Sequence, residues 1–399
     1  MKARLIVALA LALVAAPGVS SSGGDAEDPD PPLPFFDATR QRTEYVGPGR
    51  EDPEPTGIDE IRIGYFGPSD PSHPLGGDMW LASRLAVEEA NRDGGYRGIP
   101  FRLVPAWSDT PWGTGVAGLA RMVYSEGVWA IVGSIDGAST HLAEQVVAKA
   151  RLTLINPAGT DKTVNLANVA WMFSCLPADD ALAQALAPVI KERVDSRPFI
   201  VLSATDHDSH HAATELTTYL GREGVSPLYL LEFESGTTDF SSILERVATS
   251  DAAAVVVFAG PLDSARVVSA LHRLDGDLAV FGSHSMGRRA FLEAAGSAAD
   301  GIVFPLPCDA ALFSGSFAGE FLSRFGRRPD CTAAQTYDAT RMTIEAIREA
   351  GLNRARIRDA VQALSPWTGV SGTIEWSSLG QNEREVRPAT IEGGRIRPR

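Results

Sequence analysis

Cysteine is scarce in this 399-residue chain, which has only Cys175, Cys308 and Cys331 and no CxxC spacing. A structural zinc site built on cysteine is excluded, and so is a small scaffold held by many disulfides. Positive charge is also in deficit, with 36 Lys and Arg against 50 Asp and Glu, a formal net charge of −14 and a pI near 5.0. So acidic a chain is a poor partner for nucleic acid, and none is expected. No apolar run after the N-terminal segment approaches the roughly 20 residues a membrane helix needs. Two nucleotide signatures are missing as well, since there is no Walker A sequence and no GxGxxG after a strand, and no cofactor is expected.

The N-terminus does carry one apolar run. Lys2 and Arg4 precede an unbroken apolar stretch over 5–16, and small residues follow through position 24. This is the layout of a secretory signal peptide, expected over 1–24, and it implies export. No cysteine follows the run, so a lipid anchor is not expected. Residues 25–57 are rich in proline and acid without a sustained period, and a disordered tether is expected there. About 340 residues remain from position 58, enough for two lobes and a large core.

That remainder alternates strand and helix. Strands are expected over 61–66, 101–106, 129–132, 152–155 and 171–176, with helices over 79–92 and 116–125 and another after Thr140. Asp93, Gly94 and Gly95 end the first helix. The grammar restarts at Pro177. Helices over 181–194, 212–222, 241–248 and 264–274 alternate with strands over 199–203, 228–233, 254–258, 278–281 and 302–304. Helices over 313–325, 333–350 and 354–364 follow, then a strand-like 372–376. The fold class is α/β, two doubly wound Rossmann-like lobes with a cleft between them.

The stretch 130–160, AIVGSIDGASTHLAEQVVAKARLTLINPAGT, is the most informative. It sets two small-residue loops, SIDGAS and NPAGT, at the carboxyl ends of neighbouring strands, where α/β sheets bind ligands. Small loops leave backbone N–H groups open, and a helix N-terminus adds partial positive charge. The plain alternative is a tight strand-to-helix turn.

The segments IRIGYFGP, ASRLAVEEANRDGGYRG, AIVGSIDGAST, INPAGT, RRPD with the TYDATRMTIEAIREAG helix, and GVSGTIEWSSLGQ recur here in order. On these the chain resembles the type I periplasmic solute-binding proteins, the leucine/isoleucine/valine-binding family that serves ABC importers, over about 61–394. The resemblance implies a Venus-flytrap of two lobes joined by three crossings, closing on a ligand. Its crossings would fall near 177–180, 305–309 and 369–372. The first lobe would then take 58–177 plus 308–368 and the second 178–307 plus 369–399. Cys175 and Cys308 would sit beside the first two crossings, which makes them the expected disulfide, with three unpaired thiols as the alternative. The implied partners are a small molecule and an ABC permease, and the implied protein is a periplasmic monomer. A ligand sensor or a metal-binding scavenger on the same fold is the alternative.

In that family a serine hydroxyl, backbone N–H groups and a PAxT-like loop hold the ligand carboxylate. Pro157, Ala158 and Thr160 match the second loop, with Gly159 between them. At the serine position stands Gly137, between Asp136 and Ala138, so the backbone donors survive and the hydroxyl does not. The glutamate that meets the ligand ammonium aligns with His284. A neutral, aromatic or anionic ligand is therefore expected in place of a branched-chain amino acid. Trp107 is the expected aromatic at the cleft lip, whereas Trp80 reads as core. Asp208 and His210 complete the expected ligand contacts.

Two other constellations carry chemistry. Asp206, His207, Asp208, His210 and His211 lie together in SATDHDSHH, and imidazole with carboxylate suits zinc, nickel or iron. Polar ligand contacts and a solvated helix cap are the competing readings, and no metal is the expectation. Residues 283–287, SHSMG, look like the nucleophile elbow of α/β hydrolases. In those enzymes the catalytic histidine follows the serine, and His284 is the last histidine here. No enzyme activity is expected.

Overall fold

The computed structural model describes residues 44–399 apart from 275, 310, 313 and 314. The expected signal peptide, and the expected tether as far as 43, lie outside the described residues. No helix among the described residues is long and apolar enough to cross a membrane.

Two sheets organise the chain. Strands β1 (Ile61–Phe66), β2 (Phe101–Ala106), β3 (Ala130–Gly133), β4 (Thr153–Asn156) and β5 (Met172–Ser174) form the first, in the order β2-β1-β3-β4-β5 and parallel throughout. The second sheet begins with β6 (Phe199–Ala204), β7 (Tyr229–Phe233), β8 (Ala254–Phe258), β9 (Ala279–Gly282) and β10 (Val303–Leu306). After a hairpin of β11 (Trp367–Gly369) and β12 (Gly372–Ile374), the chain adds β13 (Arg387–Glu392) and β14 (Arg395–Pro398). The second sheet then runs β14-β13-β10-β9-β8-β6-β7, with β13 and β14 antiparallel at one edge. Sheets covered on both faces read as unbroken apolar runs. Val255, Val256 and Val257 are accordingly all fully buried.

Parallel pairs need crossover helices. Helices α1 (Gly77–Arg92), α2 (Val116–Ala120), α3 (Gly137–Ala150) and α4 (Thr163–Leu166) connect the first sheet. Helices α5 (Asp179–Val194), α6 (His207–Arg222), α7 (Ser241–Ala248), α8 (Pro261–Leu271) and α9 (Arg289–Ala295) serve the second. Three more follow β10: α10 (Ser316–Phe325), α11 (Cys331–Ala350) and α12 (Arg354–Ala363). Met342, Ile347 and Ile357 from the last two share one core with Ile63, Val132 and Ile155 of the first sheet. The chain thus leaves the first sheet after β5, returns to it after β10, and rejoins the second at β13. Before that last passage it runs along β5. Ser174 donates from its N–H to Gly380 O at 2.8 Å, Trp376 Nε1 to Ser174 O at 2.9 Å and Asn382 Nδ2 to Cys175 O at 2.6 Å.

Four differences from the sequence reading have physical causes. Helix α6 starts at His207 instead of 212, because Asp206 caps it by accepting the Ser209 N–H at 3.0 Å. The β13–β14 hairpin was not anticipated, although Gly393 and Gly394, both with positive φ, mark its two-residue turn.

Residues 44–57 hold no helix or strand, yet they are not a loose tether. Tyr45 is buried against Trp171, with ring centroids 4.5 Å apart. Arg50 pairs with Asp359 at 2.7 Å, and Asn353 Nδ2 donates to Gly49 O at 2.7 Å. These contacts make a strap across α12.

The disulfide is Cys308–Cys331, with Cα atoms 5.6 Å apart, and Cys175 is free and buried. The expected Cys175–Cys308 pair fails because the two side chains belong to different cores: Cys175 packs with Ile155 and Phe173, Cys308 with Leu306 and Phe317. Cys331 opens α11, so the bond ties the exit of the second sheet to the helix that returns to the first. With the cysteines 23 positions apart, loop-closure entropy sets its contribution at about 3 kcal/mol. Peptide mapping without reductant should recover a Cys308–Cys331 cross-link, with Cys175 alkylated only after unfolding. Cys331→Ser should lower unfolding stability by about 2–4 kcal/mol in denaturant titration.

Candidate functional site

The strands of both sheets end at one cavity. It holds about 370 Å³, and its walls come from loops after β3 and β4, such as Asp136 and Thr160, and from loops after β6, β8 and β9, such as Asp208, Gly260 and His284. Carboxyl-end loops are where α/β sheets take ligands, and the volume suits a small molecule. A larger cavity of about 1080 Å³, lined by Arg50, Arg358 and Trp376, lies beside the start of β5 and the strap, away from the strand ends that face the second sheet.

Most of the residues expected from the sequence meet here. Asp136, Ala138, Ala158, Thr160, Asp208 and His284 line the cavity, and Gly137 and Gly159 lie in the same loops without entering its wall. Trp107 does not. It follows β2, the outermost strand of the first sheet, stacks on Phe66 at 5.5 Å between centroids, and donates from Nε1 to Asp109 at 3.0 Å. His210 does not reach it either, because its helical position turns it outward to Glu232 at 3.4 Å.

Backbone donors in both loops are already used. Gly137 N–H donates to Asp208 Oδ1 at 2.7 Å, so a carboxylate from the second sheet's helix occupies the first-sheet cup. Asn156 Oδ1 accepts the N–H groups of Ala158 and Gly159 at 3.1 and 2.8 Å. Asp136 caps α3 by accepting the Ser139 N–H at 2.7 Å. The missing hydroxyl at Gly137 now has a structural reason. A Cβ there would lie 2.5 Å from Asp208 Oδ1 and 2.7 Å from Asp161 Cβ. Only glycine admits the carboxylate so closely.

Charge is unbalanced around the cavity. Burial first, and then the charge of Asp136, push the Asp208 carboxyl up to about 8. Asp136 is raised as well, chiefly by burial. The one guanidinium in the wall, Arg288, is engaged elsewhere, with Asp330 at 2.8 Å and with Leu75 O. Burial, then the Arg288 charge, lower the pKa of His284 to about 4, and its buried Nδ1 has no partner among the described residues.

Beside the cavity lies a cluster that the sequence reading did not assemble. Asp161, in the loop after β4, has no exposed side-chain surface. Its Oδ2 meets His141 Nε2 of α3 at 3.0 Å and His207 Nε2 of α6 at 2.7 Å. His211 Nδ1 stands 3.8 Å from Oδ1. The five residues weighed on SATDHDSHH as an alternative metal set are thereby divided: Asp206 caps α6, Asp208 enters the cup, His210 faces outward, and only His207 and His211 converge. His141 lies four residues past Gly137 and Asp161 one past Thr160, so both were adjacent to motifs already singled out. Nothing in their spacing signalled that a second-sheet helix would meet them.

Because the folded pKa of His284 is depressed, the unfolded chain takes up its proton first as pH falls. Stability is lost as pH drops from about 6.5 to about 4, by roughly 2–3 kcal/mol from this group. Denaturant midpoints measured across that window should show a shallower acid loss in His284→Gln.

Comparison with known proteins adds the family. The profile of the family described as periplasmic binding protein matches residues 60–395. A leucine-, isoleucine-, valine-, threonine- and alanine-binding protein of Pseudomonas aeruginosa is 22% identical over 250 residues, covering 62% of this chain and 67% of the relative. Among solved structures, the branched-chain amino acid transporter substrate-binding protein LivJ of Streptococcus pneumoniae with isoleucine is similar at TM-score 0.76 and 20% identity, over 84% of this chain and 97% of that one. Leucine-binding protein LivK of Thermotoga maritima gives TM-score 0.77 at 18% identity over 85% and 97% of the two chains. A solute-binding protein of R. palustris with benzoate gives TM-score 0.75 at 14% identity over 85% and 95%. With a profile match along most of its length and the same two-sheet fold, this chain belongs to the periplasmic binding protein family.

Proposed function

We propose that this chain captures a small organic solute in the cavity between its two sheets and presents it, closed, to the permease of an ABC importer outside the cytoplasm. The observation that carries this reading is the shared cavity, walled by carboxyl-end loops of both sheets. A solute that touches both halves stabilises their contact, and closure is what a permease can recognise. We take the first lobe as 44–177 with 308–382, since 374–382 bonds along β5, and the second as 178–307 with 383–399. On this assignment the third passage between lobes comes about a dozen residues later than the resemblance implied.

The solute on this reading is not a branched-chain amino acid. A carboxylate finds its backbone donors taken by Asp208 and Asn156. It would also face Asp206 and Asp263 around the cavity, and like charges at short range in a dry cleft are costly. The anionic ligands expected from the sequence are disfavoured for the same reason. A neutral or cationic solute fits, with the unpartnered Nδ1 of His284 as one of its polar contacts.

A thermal-shift panel of leucine, isoleucine, benzoate, neutral amides and organic amines tests this. Leucine, isoleucine and benzoate should leave the midpoint unchanged. A fitting solute at a hundredfold over its dissociation constant should stabilise by about 2.7 kcal/mol, with the shift reduced in His284→Ala. A clear shift with leucine would overturn the ligand assignment.

A further inference from the structure

Two imidazoles on opposite sides of the cleft converge on one buried carboxylate, and the chemistry of that donor set differs from the cavity's. His141 Nε2, Asp161 and His207 Nε2 offer ligand atoms that all lie within 4.8 Å of one another. In tetrahedral zinc sites nitrogen and oxygen ligands stand about 2.0–2.2 Å from the ion, which separates neighbouring ligand atoms by about 3.3–3.5 Å. The His–Asp separations of 3.0 and 2.7 Å would open by about 0.3–0.5 and about 0.6–0.8 Å. His207 and His211 stand one helical turn apart on α6, the spacing that sets two side chains on one face, and their rings are 4.4 Å apart between centroids.

A second observation lies behind the first ligand. His141 turns its other nitrogen, Nδ1, to Glu144 Oε2 at 3.3 Å. Glu144 is 3% exposed, and its Oε1 has no hydrogen-bond partner among the described residues. A buried carboxylate behind an imidazole fixes the ring so that the far nitrogen faces a metal.

The geometry points to an interlobe transition-metal site: His141 and Asp161 from the first sheet's loops and helices, His207 from α6, and His211 as the fourth side chain within reach. Imidazole and carboxylate select a borderline divalent ion such as zinc, nickel or cobalt. Neither half holds the full set, so the ion clamps the two halves together. His207 also lines the solute cavity, so the metal site adjoins it, but the two readings rest on different observations and are tested separately.

The test uses tag-free full-length protein stripped with chelator and dialysed against zinc, nickel or cobalt in turn. One equivalent of metal should remain, the cobalt form should show the intense visible bands of low-coordinate geometry, and the melting midpoint should rise. His141→Gln and His207→Gln, made separately, should each weaken zinc binding at least tenfold and abolish the midpoint shift, while His210→Ala binds as wild type. Melting curves without metal establish that each variant is folded. A wild-type chain that retains no metal overturns the site. So does a His141→Gln chain that binds normally, because the ion would then sit on α6 alone.

Discussion

Asp161 is a carboxylate with no exposed side-chain surface at the place where the two sheets meet. An ion taken out of water must be paired or it shifts to its neutral form. Here the pairing comes from both directions, from His141 on its own side and His207 across the cleft, with Thr163 supplying an N–H and a hydroxyl. Its pKa is held below the ordinary carboxylate range: burial raises it, and the histidine and threonine bonds together outweigh that effect. His141 is correspondingly raised to about 9 by Asp161 and Glu144. The juncture of the two halves is thus a buried carboxylate bonded from both sides.

The same logic runs along the whole cleft. Asp208 of α6 enters the first-sheet cup, Lys162 pairs with Glu215 of α6 at 2.7 Å, Arg288 reaches Leu75 and Asp330, and Arg289 pairs with Asp78 of α1 at 2.7 Å. Pairs as deeply buried as Arg288–Asp330, at 9% and 5% side-chain exposure, are costly to break one partner at a time. Polar bonds of this kind join the two halves at defined positions. The cavity is what those bonds leave open.

The glycine at 137 shows how a substitution in a known motif acquires meaning from the other half of the molecule. On the sequence, Gly137 is a lost hydroxyl. In three dimensions it is the space that Asp208 fills. A cup that accepts its own protein's carboxylate is a different device from one that holds a ligand's, although the backbone around it is the same.

Local pattern was enough for the strands. Parallel strands buried on both faces must be apolar throughout, so 130–133 and 254–258 announce themselves. Signals spread thinly in sequence were harder. The cap at Asp206 pulled α6 five residues forward, and the C-terminal hairpin carries too few apolar residues to stand out. The chain by itself determined that two α/β sheets form with small-residue loops at their carboxyl ends, because periodicity and turn chemistry are local. Only the tertiary structure decided that Cys308 joins Cys331, that Asp208 occupies the Gly137 loop, and that His141, Asp161 and His207 meet. Those pairings join residues from 20 to more than 70 positions apart, and which side chains face one another across a cleft depends on how two separately formed cores pack.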